Sequence, residues 1–238
     1  MTLGLVVLML SGCMDDKPSS MAFEACFHEE GAGLPSGWQF DATHWACESS
    51  PIARAFEVNT STFPSPFTAT SVDAAWDTAE VPWDGSSANL AISRGSGSLT
   101  SSTKDDHNAV YFLDDSHPSQ LGWLAATLCH PKTSSSPESN DCDVRIFSKF
   151  LDVRDDPGTT TVNEEVTSSI AWSASNATGT TGAFRLPMAF THELHHAVGF
   201  GHNNGIGSIT EETIDKDQVA PSSVSADDEN ALLWVYGT

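Results

Sequence analysis

The chain has 238 residues, 39% of them hydrophobic, and a formal net charge of -22. That length and composition support one or two globular domains with a sizeable core. An acid surplus of this size argues against nucleic acid as a partner, because phosphate contacts draw on Lys and Arg; it suits solubility outside the cytoplasm, or attraction of basic substrates.

Leu3 to Leu10 is an apolar run too short to span a bilayer. Leu10-Ser11-Gly12-Cys13 follows it, so small residues precede a processing site, as in a secretory signal. The form resembles the bacterial lipobox. That resemblance implies that residues 1–12 are a lipoprotein-type signal peptide. Cys13 would then carry a lipid that tethers an exported protein to the cell envelope. Plain secretion is the alternative. Residues 13–50 are read as a polar tether and a cysteine-bearing segment. Cys26, Cys47, Cys129 and Cys142 remain, an even number that suggests disulfides in an exported protein. Three pairings are possible. Cys26–Cys47 and Cys129–Cys142 are favoured because each closes a short local loop. A tetra-thiolate zinc site is a weaker reading, since no C-x-x-C pair is present.

Residues 51–238 carry the regular patterns. Ala53 to Val58 alternates apolar and polar side chains, which predicts a strand. Pro64 and Pro66 break the chain. Ser71 to Val81 is predicted helical, with Val72, Ala75, Trp76 and Ala79 on one stripe and Pro82 as its stop. Strands are expected at Ala88 to Ser93, Asn108 to Leu113, Leu121 to Cys129 and Val144 to Phe147. The Gly/Ser tract from Gly95 to Ser102 and residues 154 to about 182 read as loops, the second one long. Pro187 suits the first turn of a helix, and Gly199 and Gly201 suit its end.

That helix contains the chemistry. In His192-Glu193-Leu194-His195-His196-Ala197-Val198-Gly199-Phe200-Gly201-His202, His192 and His196 are four apart and share a helix face. Gly199 allows a tight turn that brings His202 back as a third nitrogen ligand. Three neutral imidazoles with one open position are what a catalytic Zn2+ needs. Glu193, next to a ligand, is placed to act as general base. The wheel puts Phe190, Leu194, Ala197 and Val198 on a packed back, with the two ligands opposite them. Glu193 and His195 then flank a cleft. His195 is out of register with His192 and is read as a non-ligand.

The pattern H-E-x-x-H-x-x-G-x-x-H resembles the metzincin zinc endopeptidases, and the wider chain from residue 53 onward looks most like a matrixin catalytic domain. Ala53 to Val58 is similar to the family's first strand and Ser71 to Val81 to its first helix. Ser225 to Gly237 is similar to its C-terminal helix, with Ser225 as cap and Ala231, Leu232 and Val235 as its apolar stripe. The resemblance implies an α+β, zincin-like fold. Its twisted five-stranded mixed sheet would carry an active-site helix and a C-terminal helix. It also implies a zinc endopeptidase acting on extracytoplasmic protein or peptide substrates. An extended peptide would pair with the edge strand near Leu121 to Cys129. A non-catalytic zinc-binding domain and a surface adhesion lipoprotein are the alternatives. Thr210 stands where matrixins place a methionine, eight residues after the third ligand. No P-R-C-G-type segment precedes Ala53. His107, His117 and His130 do not match the spacing of the family's second zinc, and none of them, nor any calcium ligand, is assigned.

Overall fold

The computed structural model describes residues 44–45, 52–95, 97, 104–116, 122–131, 138–154, 164–202, 209, 211 and 213–237. The signal segment, Cys13, Cys26, Cys47, His117 and Thr210 lie outside the described residues.

The chain is an α+β protein. A two-residue strand β1 (His44–Trp45) precedes β2 (Ile52–Val58), helix α1 (Ala69–Asp84) and β3 (Leu90–Gly95). Next come β4 (Asn108–Leu113), β5 (Ala125–Pro131) and β6 (Glu138–Phe147). The main sheet runs β3-β2-β4-β6-β5. Its first four strands are parallel and β5 is antiparallel to β6, so the expected five-stranded mixed sheet is present. β1 adds a short parallel pairing at Glu138 and Ser139 of β6. β5 has no second strand partner among the described residues.

Thr68 caps α1, and its hydroxyl accepts from the Ser71 N–H while Ser71 Oγ accepts from the Thr68 N–H. The expected stripe of Val72, Ala75, Trp76 and Ala79 is buried. Pro82 does not stop the helix, which continues to Asp84. The proline falls in the final turn, where only one backbone bond is forfeited, and burial of Pro82 and Trp83 offsets that loss.

The stretch expected as one long loop holds more structure than its polarity suggests. β7 (Lys149–Arg154) and β8 (Glu164–Ser169) form an antiparallel pair outside the main sheet. β9 (Trp172–Ser173) pairs with β10 (Phe184–Arg185), and Trp172 Nε1 donates to Phe147 O at 2.7 Å. β8, with the sequence Glu-Glu-Val-Thr-Ser-Ser, lacks the apolar alternation that marks a strand built over a core, and β9 and β10 are too short to show one.

β10 leads directly into α2 (Leu186–Ala197), with Pro187 in its first turn as expected. α3 (Ala226–Tyr236) closes the chain, and Ser225 caps it in a reciprocal pair with Asp228. Ala231, Leu232 and Val235 of α3 are buried.

An aromatic chain ties these layers together. Phe56 of β2 meets Trp76 of α1 at 5.4 Å between ring centroids, and Trp76 meets Phe190 of α2 at 5.7 Å. Each such side chain contributes roughly 1.5–3 kcal/mol by burial alone. The core therefore fixes α2 against α1 and the sheet. Among the described residues, no helix is long and apolar enough to cross a membrane.

Candidate metal centre

The start of α2 is anchored before any ligand appears. Arg185 is 1% exposed, and its guanidinium donates to the carbonyls of Ser175 at 2.7 Å, Gly179 at 2.7 Å and Asp217 at 3.1 Å. One side chain thus ties two loops to the helix N-terminus. At the other end, Gly199 has φ 98°, a left-handed conformation that favours glycine, and its N–H donates to His196 O at 2.9 Å. The turn delivers His202 to the face that carries His192 and His196.

The three predicted ligands converge. Donor atoms of His192, His196 and His202 lie within 4.8 Å of one another. Nδ1 of His192 is 2.9 Å from Ile209 O, and Nδ1 of His196 is 2.8 Å from Phe200 O. A carbonyl only accepts, so both Nδ1 atoms carry the proton and both Nε2 atoms present lone pairs. Those Nε2 atoms face each other at 3.1 Å. Two lone pairs repel at that distance unless a cation lies between them. A tetrahedral zinc with Zn–N distances of roughly 2.0–2.1 Å sets its ligand nitrogens about 3.3 Å apart. The donor set therefore fits Zn2+ in tautomer and spacing. The carbonyls behind the rings are the outer partners that fix ligand orientation. Burial, then the neighbouring His196 and His202, holds His192 well below the usual histidine range, so its ring is neutral at pH 7.

Glu193 is fully buried. The Thr127 hydroxyl of β5 lies 2.7 Å from Glu193 Oε2 and 3.0 Å from the Glu193 backbone oxygen. It has one proton to give, and the carboxylate is the stronger acceptor. The side chain of the expected base is thus held to the edge strand.

The expected open front of the helix is not present. All twelve residues of α2 are buried, including both ligands. His195 does not flank a cleft. It packs 5.8 Å from Trp83 and 4.8 Å from Phe200 between ring centroids, and its Nε2 is 3.9 Å from Asp228 Oδ1 of α3. His195 is enclosed between α1, the turn after α2 and α3, which a wheel drawn for a surface helix cannot represent.

Sequence reasoning missed Thr127, Ile209, Phe200 and Asp228. Ile209 and Phe200 act through backbone carbonyls, for which residue type carries no signal. Thr127 is 66 residues from Glu193 and meets it only through packing of β5 on α2. Of the three histidines left unassigned, His107 is exposed beside Glu57 at 3.1 Å. His130 lies on β5 with Asp141 and Asp143 of β6 around it. No model of a known protein family matches the chain, and no curated protein matches it.

Proposed function

We propose that this chain is a zinc-dependent endopeptidase with a metzincin-like, matrixin-like fold. The observation that carries the reading is the convergence of His192, His196 and His202 beside a buried Glu193 that Thr127 holds in place. Zinc bound there would supply an acidified water and polarise a substrate carbonyl. His192, His196 and His202 would hold it, the first two through Nε2, since a carbonyl braces each of their Nδ1 atoms. Glu193 takes the proton of the attacking water and delivers it to the leaving amine. Thr127 steadies the carboxylate through that transfer. A peptide fits better than a small substrate because β5, which carries Thr127, has no second strand partner among the described residues, so strand addition there would seat an extended chain. The lipobox-like Leu10 to Cys13 supports export and a lipid on Cys13, so the substrates are extracytoplasmic proteins or peptides.

The test compares wild type with Glu193→Ala and Glu193→Gln. Both variants are expected to keep stoichiometric zinc and lose protein hydrolysis, and a chelator is expected to silence the wild type. Equal hydrolysis by wild type and Glu193→Gln refutes the assignment of the base. Zinc binding with no hydrolysis of any protein substrate leaves only a non-catalytic zinc-binding domain.

A further inference from the structure

The proposed base Glu193 is held from β5, and a covalent bond holds β5 close to that point. Cys129 and Cys142 are directly paired on the β5–β6 ladder and form a disulfide. Thr127, whose hydroxyl lies 2.7 Å from Glu193 Oε2, is two residues from Cys129 on the same face of β5.

The bond also reaches the helix that carries the histidines. Cys142 Sγ lies 3.7 Å from the backbone oxygen of Ala197, the last residue of α2 and the neighbour of His196. A disulfide sulfur has no proton to donate, so this is a packing contact in the oxidised protein. Just beyond the bond the ladder becomes irregular, with a register shift between His130 and Pro131. On its other side β5 has no strand partner among the described residues. The disulfide thus separates Thr127 from the irregular end of its strand. The two sulfurs differ in access. Cys142 is buried and Cys129 is half-buried, so a thiol reductant meets the bond from the Cys129 side.

We propose that the Cys129–Cys142 disulfide is a redox switch for the catalytic site. Oxidised, it holds Thr127 on Glu193; reduced, it releases the strand, and the base loses its orientation. The proposal rests on the endopeptidase reading above and adds its regulation. The co-reactant is a redox-active dithiol, the class that keeps thiols reduced in the cytoplasm. One of its thiolates attacks Cys129 Sγ, the Sγ–Sγ bond breaks, and Cys142 leaves as a thiolate that takes up a proton. The reductant's second thiol then attacks the mixed disulfide, forms the reductant's own disulfide and frees Cys129 as a thiol. Two electrons pass from the dithiol to the protein, and two protons end on the two cysteines. Exchange with an oxidised carrier runs the steps in reverse. The enzyme is therefore weak among reducing thiols and gains its full rate in an oxidising compartment.

The experiment compares the full protein, oxidised and after reduction by dithiothreitol, which is removed by anaerobic gel filtration. Zinc content is measured on each sample, because dithiothreitol itself binds zinc. On reduction, kcat/KM for protein hydrolysis is expected to fall at least about 10-fold, the loss of one hydrogen bond to a charged group. Zinc content stays constant, and reoxidation restores the rate. Thr127→Val supplies a readout that general loosening would not reproduce. It has already lost the same hydrogen bond, so reduction leaves its residual rate unchanged. Cys26→Ser/Cys47→Ser keeps the response, and Cys129→Ser/Cys142→Ser lacks it. Equal kcat/KM in the two redox states overturns the proposal. So does an equal fall in Thr127→Val, or loss of zinc on reduction. Oxidised wild type that hydrolyses nothing refutes the endopeptidase reading instead, and hydrogen exchange then decides the switch. Faster exchange over residues 125–130 in the reduced protein, with α3 unchanged, supports it; unchanged exchange there overturns it.

Discussion

Thr127→Val isolates the contribution of the edge strand to the proposed catalysis. Valine matches the shape of threonine and removes only the hydroxyl, so β5 keeps its packing. Glu193 Oε2 then loses the donor that now stands 2.7 Å away in a buried site. A hydrogen bond to a charged group contributes roughly 1.5–3 kcal/mol. If that steadying is needed in the transition state, kcat/KM falls by about 10- to 150-fold. The acid limb of the kcat/KM profile also moves to higher pH, because the donor favours the ionised carboxylate. Zinc content stays at the wild-type value, since Thr127 touches no ligand. Thr127→Ser restores both rate and profile. The assay is hydrolysis of an unfolded protein substrate across pH, with metal analysis of each sample. A Thr127→Val protein with wild-type kcat/KM and an unmoved acid limb refutes the positioning role.

Three further outcomes follow from the packing. Replacing Cys129 and Cys142 by serine removes a crosslink over a sequence separation of 13 and costs about 3 kcal/mol, read as a fall in Tm of roughly 6–12 °C. His195→Ala keeps the full zinc content and lowers stability by a few kcal/mol, because the ring fills a buried site between Trp83, Phe200 and Asp228; loss of zinc would make it a ligand. Glu80 has its pKa raised to about 6 by partial burial first and by Asp84 next, against an unfolded value of 4.5. The folded state thus disfavours its charge, and the associated stability is fully present below pH 4.5 and lost as pH rises through about 6. Glu80→Gln should raise stability above pH 6 by about 1 kcal/mol after allowance for solvent screening, and leave it unchanged below pH 4.5 in urea titrations.

The legible parts of the sequence were those fixed by local rules. The stripe of α1, the strand at Asn108 to Leu113, the proline and glycine at the ends of α2, and the Ser225 cap all stand where periodicity and capping put them. The histidine set was legible because helix spacing and one glycine turn bring the three rings together with no long-range contact. Three kinds of information were not local. β8 pairs through a polar face, so no apolar alternation betrays it. The enclosure of α2 depends on α3 closing the side away from the ligands, which moves His195 from a cleft edge into a core. The group on β5 and β6 is assembled by strand register, which linear spacing between histidines does not encode.

That register also sets one wall of the candidate metal centre. In β5 successive side chains alternate faces, so Thr127 and Cys129 point one way and His130 the other. In β6, Cys142 is on the inner face with Val144 and Ile146, and Asp141 and Asp143 are on the other. A slip of one residue would turn Thr127 away from Glu193 and drive His130 toward α2. The Cys129–Cys142 bond forbids that slip. The strand that holds Thr127 against the proposed general base is thereby clamped to β6. An edge strand left unclamped would be the mobile wall of the site.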